Sequence, residues 1–184
     1  MVTPIQYEGH AIVSEDGMIA DAAGEMPDAL RSEADWRYFQ AALDRAALVV
    51  LGRKGHARHP NPGRRRLVLT TSIGTLEPDS ADPLAMLWNP AGMPIDTVLA
   101  ELGIIEGIVA VTGGTGTFDL FLPRYSRFVL AEVRGLSLPG GVPCFSKGHP
   151  RYALPGAGYA ARDMQLIEPG VVQTTWVRSP APAK

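Results

Sequence analysis

VTGGTGTFDLFLP, residues Val111–Pro123, ends an apolar β-branched run, sets two glycines side by side and then takes on a short helical periodicity. Two readings fit such a stretch. Bare backbone after a buried strand lets an anion or a flat cofactor approach closely. It also serves as a tight strand-to-helix turn. GGTGT lacks the G-x-G-x-x-G spacing, and no lysine follows it as in a P-loop, so the stretch leaves both readings open.

Working outward, Gly107–Thr112 reads as a buried strand, Thr117–Leu122 as a short helix stopped by Pro123, and Arg127–Val133 as a further strand. Toward the N-terminus, Ile5–Ser14 is a first strand, followed by a glycine-containing loop to Pro27. Ser32–Ala46 carries Trp36, Phe39, Ala42, Leu43 and Ala46 at three- and four-residue steps, which predicts an amphipathic helix, with Ser32 and Asp35 as its capping pair. Ala47–Gly52 and Arg66–Thr71 read as strands, Pro94–Leu102 as a helix, and a strand is expected around Leu87. Loop signals dominate Gly135–Gly158. Two strand-like runs flank Pro169-Gly170, a pair suited to the centre of a type II turn, so a terminal hairpin is expected. Strands alternating with helices predict an α/β domain with a mostly parallel sheet, edged by that antiparallel hairpin. One domain over 1–178 and a flexible tail over 179–184 are expected.

Composition narrows the function. Of 184 residues, 46% are hydrophobic and 20% charged, the balance of an ordinary globular protein. A formal net charge of −2 gives no global pull toward nucleic acid or membrane. No apolar run approaches a membrane span and the N-terminus has no signal-peptide pattern, so a soluble cytoplasmic protein is expected. Cys144 is the single cysteine, which excludes an intrachain disulfide. No metal site is expected.

Two segments carry candidate chemistry beside the diglycine. Gly52–Arg66 holds Arg53, Lys54, Arg58, Arg64, Arg65 and Arg66, six of the 17 Lys and Arg residues, and no acid occurs between Asp44 and Glu77. Such a loop after a strand's carboxyl end lies where open α/β sheets bind ligands, and arginine matches phosphate or carboxylate oxygens. A solvated basic loop is the alternative. Nucleic acid is the weaker reading, because aromatic residues do not interleave with the charges. Asp35 either completes the helix cap or stands beside aromatics at a pocket wall, ready to bind a heterocycle and assist proton transfer, with Glu33 as competitor.

Together these pieces resemble the dihydrofolate reductase superfamily. AIVSEDGMIA…MP resembles its first strand and active-site loop, and ADWRYF the start of its substrate-lining helix. VVLGRK with PGRRRLVLTT resembles the strand–loop–strand around the cofactor's adenine-side phosphate, and IVAVTGGTGTFDLFLPR the following strand, diglycine turn and helix. The likeness spans about Ala11–Val133, and the reductase domain of riboflavin biosynthesis belongs to the same superfamily. It implies a three-layer α/β/α fold and NADPH-dependent hydride transfer to a pteridine-like or pyrimidine-like ring, with dihydrofolate and a phosphoribosylamino-pyrimidine as rival substrates. A catalytically inactive nucleotide-binding protein on the same fold is the alternative. The resemblance assigns Asp35 to catalysis. It assigns Ile12, Ile19, Gly52, Arg53, Lys54, Thr70, Thr71, Gly113, Gly114, Thr115, Gly116 and Thr117 to the cofactor, with a cis Gly113–Gly114 peptide. Ala11, Asp35, Phe39 and Arg64 fall to the substrate, Arg64 matching the arginine that holds a glutamate carboxylate. Ala131 stands where the family often has a threonine beside its acid. The resemblance also points to a homodimer.

Overall fold

The apolar runs pair out of sequence order, so that elements distant along the chain become neighbours. The computed structural model describes residues 4–59 and 61–179. Its main sheet is built from β1 (Gln6–Ser14), β3 (Ala46–Gly52), β4 (Arg66–Leu69), β5 (Leu76–Pro78), β6 (Ala85–Trp88), β7 (Ile108–Val111), β8 (Tyr125–Val133), β10 (Tyr159–Glu168) and β11 (Val171–Arg178). The order across it is β10-β11-β8-β1-β7-β3-β4-β6-β5. All junctions from β8 to β6 are parallel; the hairpin β10–β11, the β11–β8 junction and β5 are antiparallel. The expected terminal hairpin is present, and Gly170 has φ 81°, the positive value required at the second central position of a type II turn.

Strand alternation sorts the side chains onto two faces. On one, Leu43 of α1 (Glu33–Asp44) packs with Val49, Leu51, Val68, Ala85 and Ala110. On the other, Val13, Val50, Leu67, Val109 and Val111 meet α3 (Ile95–Glu101), α4 (Thr115–Phe121) and α5 (Pro150–Gly156) through Val98, Leu99, Phe118, Phe121 and Leu154. Helices on both faces of a mostly parallel sheet give the expected three layers. Ser32 caps α1 as its spacing predicts, its Oγ accepting from the Asp35 amide at 3.1 Å.

Several expectations need correction. Trp36 is 51% exposed rather than part of the apolar seam, because the first turn of α1 projects over a polar strip of the hairpin, where the Ala34 amide donates to Glu168. The segment Gly52–Arg66 is not all loop: α2 (Arg53–Arg58) begins directly at the end of β3. Gly135–Gly158 contains β9 (Val142–Pro143) and α5, and the loop after β1 contains β2 (Met18–Ala20), which pairs with β9. Proline hid α5 from the sequence reading, yet Pro150 occupies a first-turn position where its missing N–H costs nothing, and the His149 side chain caps the Arg151 amide. The strand near Leu87 is β6, accompanied by β5. α4 starts at Thr115, two residues before the expected start. β10 departs from regularity twice, with register shifts between Arg162 and Gln165 and between Leu166 and Glu168, and with Asp163 at φ 45°. The Ser179 amide donates to the Gly158 carbonyl at 2.9 Å; the rest of the expected tail, 180–184, lies outside the described residues. No helix among the described residues is long and apolar enough to cross a membrane.

Phe118 sits at the centre of the larger core, 1% exposed, with the rings of Phe128 and Phe145 at 5.5 and 5.9 Å. Phe118→Ala is expected to lower unfolding free energy by about 3–5 kcal/mol in urea titration. A loss under ~1 kcal/mol would contradict this packing.

Candidate functional site

β3 and β7 are parallel neighbours with Val50 opposite Val111, so the turns that follow them leave the same edge of the sheet. The Thr112 amide donates to the Val50 carbonyl at 3.0 Å, and the Gly52 amide to the Gly113 carbonyl at 2.9 Å. The end of β3, which Arg53 directly follows, and the diglycine turn are therefore in direct contact. The Gly113–Gly114 peptide is cis. Gly113 has φ 107°, and a Cβ there would lie 2.8 Å from the Phe118 ring, so both conformation and space exclude a side chain. Ile19, carried in by β2, reaches within 4.0 Å of where a Gly114 Cβ would be. Thr115 turns its hydroxyl away, donating to the Pro143 carbonyl at 2.5 Å.

Beside this contact lies a cavity of about 450 Å³ lined by Arg53, Leu69, Thr70, Thr71, Ser72, Pro90, Gly116 and Leu120. One Arg53 guanidinium nitrogen donates to Ser72 Oγ at 3.1 Å and to Thr70 Oγ1 at 3.5 Å, and the two hydroxyls are 2.7 Å apart. A guanidinium with clustered hydroxyls at a strand end is a donor set suited to phosphate. Ser72, absent from the sequence-based assignment, belongs to it; its signal was the hydroxyl run Thr70–Thr71–Ser72. Lys54 is exposed on α2 and is not among the lining residues.

The basic segment does not form one anion patch, contrary to its composition. Arg58 pairs with Glu25 at 2.6 Å and with the Gly24 carbonyl, Arg65 donates to the Leu102 carbonyl, and buried Arg66 pairs with Asp82. The counter-charges come from elements remote in sequence, which the local absence of acids concealed. Arg64 donates to Asp44 Oδ1 at 2.6 Å and to Gln40 Oε1 at 2.9 Å. It lines a second cavity, of about 470 Å³, which also includes Trp36, Asp44, Arg58 and His59.

Asp35 is brought to the same sheet edge by a row of register partners. Ile12 of β1 pairs with Ala131 of β8, and Ala131 with Gln173 of β11. Gly9 of β1 lies opposite Val111, so Ile12 stands three residues beyond that level, alongside the diglycine turn. Ile12, Ala131 and Gln173 share the face that α1 covers; Ala11, one residue earlier, points to the other face. Gln173 Nε2 donates to Asp35 Oδ1 at 3.5 Å. Burial pushes the Asp35 carboxyl up to about 6; the Gln173 hydrogen bond opposes that rise and the nearby Glu168 charge adds to it. Phe39, one turn further along α1, contacts the His10 and Trp36 rings at 6.1 and 5.9 Å. Neither Gln173 nor Glu168 emerged from the sequence reading. A glutamine inside the apolar run VVQTTWV was the available signal.

The loop after β1 is tied down at this edge. Asp16 accepts from Ser14 Oγ, Ser137 Oγ and the Leu138 amide at 2.5, 2.8 and 3.0 Å, and the Cys144 amide donates to the Gly17 carbonyl.

A carboxyl whose folded pKa exceeds its unfolded value of ~3.9 favours the fold while protonated. That stabilisation relative to the ionised form is present below pH ~4 and is lost as pH rises through about 6. Asp35→Asn should therefore match the wild type in stability near pH 4 and exceed it by up to roughly 3 kcal/mol at pH 7.5, measured by urea unfolding at both values. Equal stabilities at both pH values would remove the shifted carboxyl.

No protein-family model and no curated protein sequence matches the chain. Solved structures do. A Shewanella sp. PV-4 protein ascribed to riboflavin biosynthesis is similar over 95% of this chain and 99% of its own, with a TM-score of 0.72 at 21% identity. Dihydrofolate reductase from Enterococcus faecalis, complexed with NADP(H) and RAB-propyl, is similar over 98% and 100%, with a TM-score of 0.69 at 16% identity. The Thermotoga maritima diaminohydroxyphosphoribosylaminopyrimidine deaminase/5-amino-6-(5-phosphoribosylamino)uracil reductase is similar over 97% of this chain and 57% of that longer one, with a TM-score of 0.66 at 13% identity. Architecture, strand order and these likenesses agree: the chain has the dihydrofolate reductase fold.

Proposed function

We propose that the protein is an NADPH-dependent reductase acting on a small nitrogen heterocycle. The observation that carries this reading is the contact of Gly52 with Gly113 beside the cavity of Arg53, Thr70 and Ser72. That arrangement offers a side-chain-free backbone surface and a phosphate-directed arginine within one site. In this reading Arg53, Thr70, Thr71 and Ser72 hold the phosphate on the adenosine ribose, and Gly113–Thr117 lie along the pyrophosphate. Ile12 and Ile19 face the nicotinamide edge. Bound NADPH would supply a hydride.

The chain's own part is to orient the acceptor and provide a proton. A carboxyl raised to about 6 holds its proton more readily than an ordinary aspartate near neutrality, which suits Asp35 to donate to a ring nitrogen while Phe39 packs against the ring. On the substrate side, Arg64 already has Asp44 and Gln40 as partners. That engagement supports a substrate without a glutamate tail, hence the pyrimidine class over folate.

Two variants test the proposal. Arg53→Ala should weaken NADPH binding by roughly 10–100-fold and leave NADH nearly unchanged in calorimetric titration; equal losses would remove the phosphate assignment. Asp35→Asn should lower turnover ~10²–10⁴-fold at unchanged NADPH affinity, followed by NADPH oxidation with pyrimidine ribosides and folates. Nucleotide binding with no wild-type turnover on any of them would instead mark an inactive nucleotide-binding protein.

A further inference from the structure

Asp35 projects from the first turn of α1 over strands β8 and β11. From β1 and β8 come Ile12 and Ala131, neither titratable. Further down β1, on the same face, Glu8 is engaged by Arg127 at 2.9 Å and by His10 at 3.6 Å. β10 contributes Glu168, whose carboxylate already accepts from the Ala34 amide at 3.1 Å, and Gln165. From α1 itself come the Ser32 cap, bonded to the Asp35 amide, and Glu33, exposed. The side-chain donor to the Asp35 carboxyl is Gln173, 2% exposed, on β11 directly beside Ala131.

Gln173 does not turn freely. Its Oε1 accepts from Gln165 Nε2 at 3.5 Å, in the register pair that joins β10 to β11. That bond consumes the carbonyl end of the amide and leaves the N–H₂ end facing Asp35. A buried amide with both ends assigned holds one orientation, since reversing it would set its oxygen against the Asp35 carboxylate and its N–H₂ against the N–H₂ of Gln165. β8 offers only the methyl group of Ala131 at this level, so the polar contact comes from the adjacent strand.

We infer that Gln173, held by Gln165, is a positioning residue that fixes the orientation and proton affinity of Asp35, making the C-terminal hairpin a working part of the reductase site. The inference rests on the reductase reading for its catalytic meaning, but its physical content is independent of turnover. Donation from Gln173 stabilises the carboxylate, so removing the donor must strengthen proton binding. Burial and Glu168 would then act unopposed.

The test is the Asp35 titration followed by carboxyl ¹³C NMR on aspartate-labelled full-length protein, the signal being assigned by its loss in Asp35→Asn. Gln173→Met keeps the length of the side chain and removes both amide groups. It should raise the midpoint by about one pH unit, a roughly tenfold gain in proton affinity, and Gln165→Met should shift it in the same direction by less. Gln173→Glu places a further acid beside Asp35 and should raise the midpoint more. If the wild type turns over, the pH profile of kcat should move with the NMR midpoint, which a purely structural role for Gln173 would not produce. An unmoved midpoint in folded Gln173→Met overturns the inference, as does an unmoved midpoint in Gln165→Met should the first variant not fold. The titration needs no substrate, so absent turnover counts against the reductase reading alone.

Discussion

The site depends on one backbone contact, the hydrogen bond from the Gly52 amide to the Gly113 carbonyl. It continues the parallel ladder from the last residue of β3 past the end of β7. Two residues 61 positions apart in the chain are thereby locked at one edge, where Arg53 and the diglycine turn meet. Arg53 emerges on one side, Ile19 comes in over the other, and α4 starts directly behind. A slip of this pairing by one residue would exchange the faces of Val49 and Val50 and break both cores at once. The geometry of the site is therefore protected by burial far from it.

α1 links the two halves of the molecule. Its C-terminal half buries Leu43 against β3 and β4, whereas its first turn stands over the terminal hairpin. The apolar contact fixes where the helix lies, and the polar contacts set the chemistry of the residue it presents. This division explains why a partly buried acid persists at Asp35: packing elsewhere on the same helix offsets the unfavourable ionisation. Stability given up at one position and recovered by packing elsewhere is the compromise that the role proposed for Asp35 requires.

Much of the architecture was legible along the chain because it depends on local pattern. Apolar runs of four to nine residues, the Ser32 cap and the Pro169-Gly170 turn each follow from physical chemistry acting over a few residues. The cis Gly113–Gly114 turn and the strand-end position of Arg53 were legible for the same reason, each lying at the end of a readable strand. What escaped depends on distant pairing. The acids that neutralise Arg58, Arg64 and Arg66 come from Glu25, Asp44 and Asp82. No window around the basic segment contains enough of them to show that these three charges are paired. Gln173 and Glu168 escaped likewise, since only the registers of β8 with β11 and of β11 with β10 bring them under α1. Proline concealed α5, because a residue that usually ends helices stands where it can begin one.

The kink in β10 has a consequence for the molecule in a crowded solution. An open sheet exposes two outer strands whose unpaired amides and carbonyls can recruit further strands and seed fibrils. At one margin β5 is only three residues long and closes with Pro78, which has no amide to offer. At the other, β10 carries exposed Met164 and Leu166, a composition that invites stacking. The left-handed backbone at Asp163 and the two shifts of register interrupt that rim, and Arg162 and Asp163 put charge along it. Neither border offers a straight template, so the sheet resists lateral growth without a covering element.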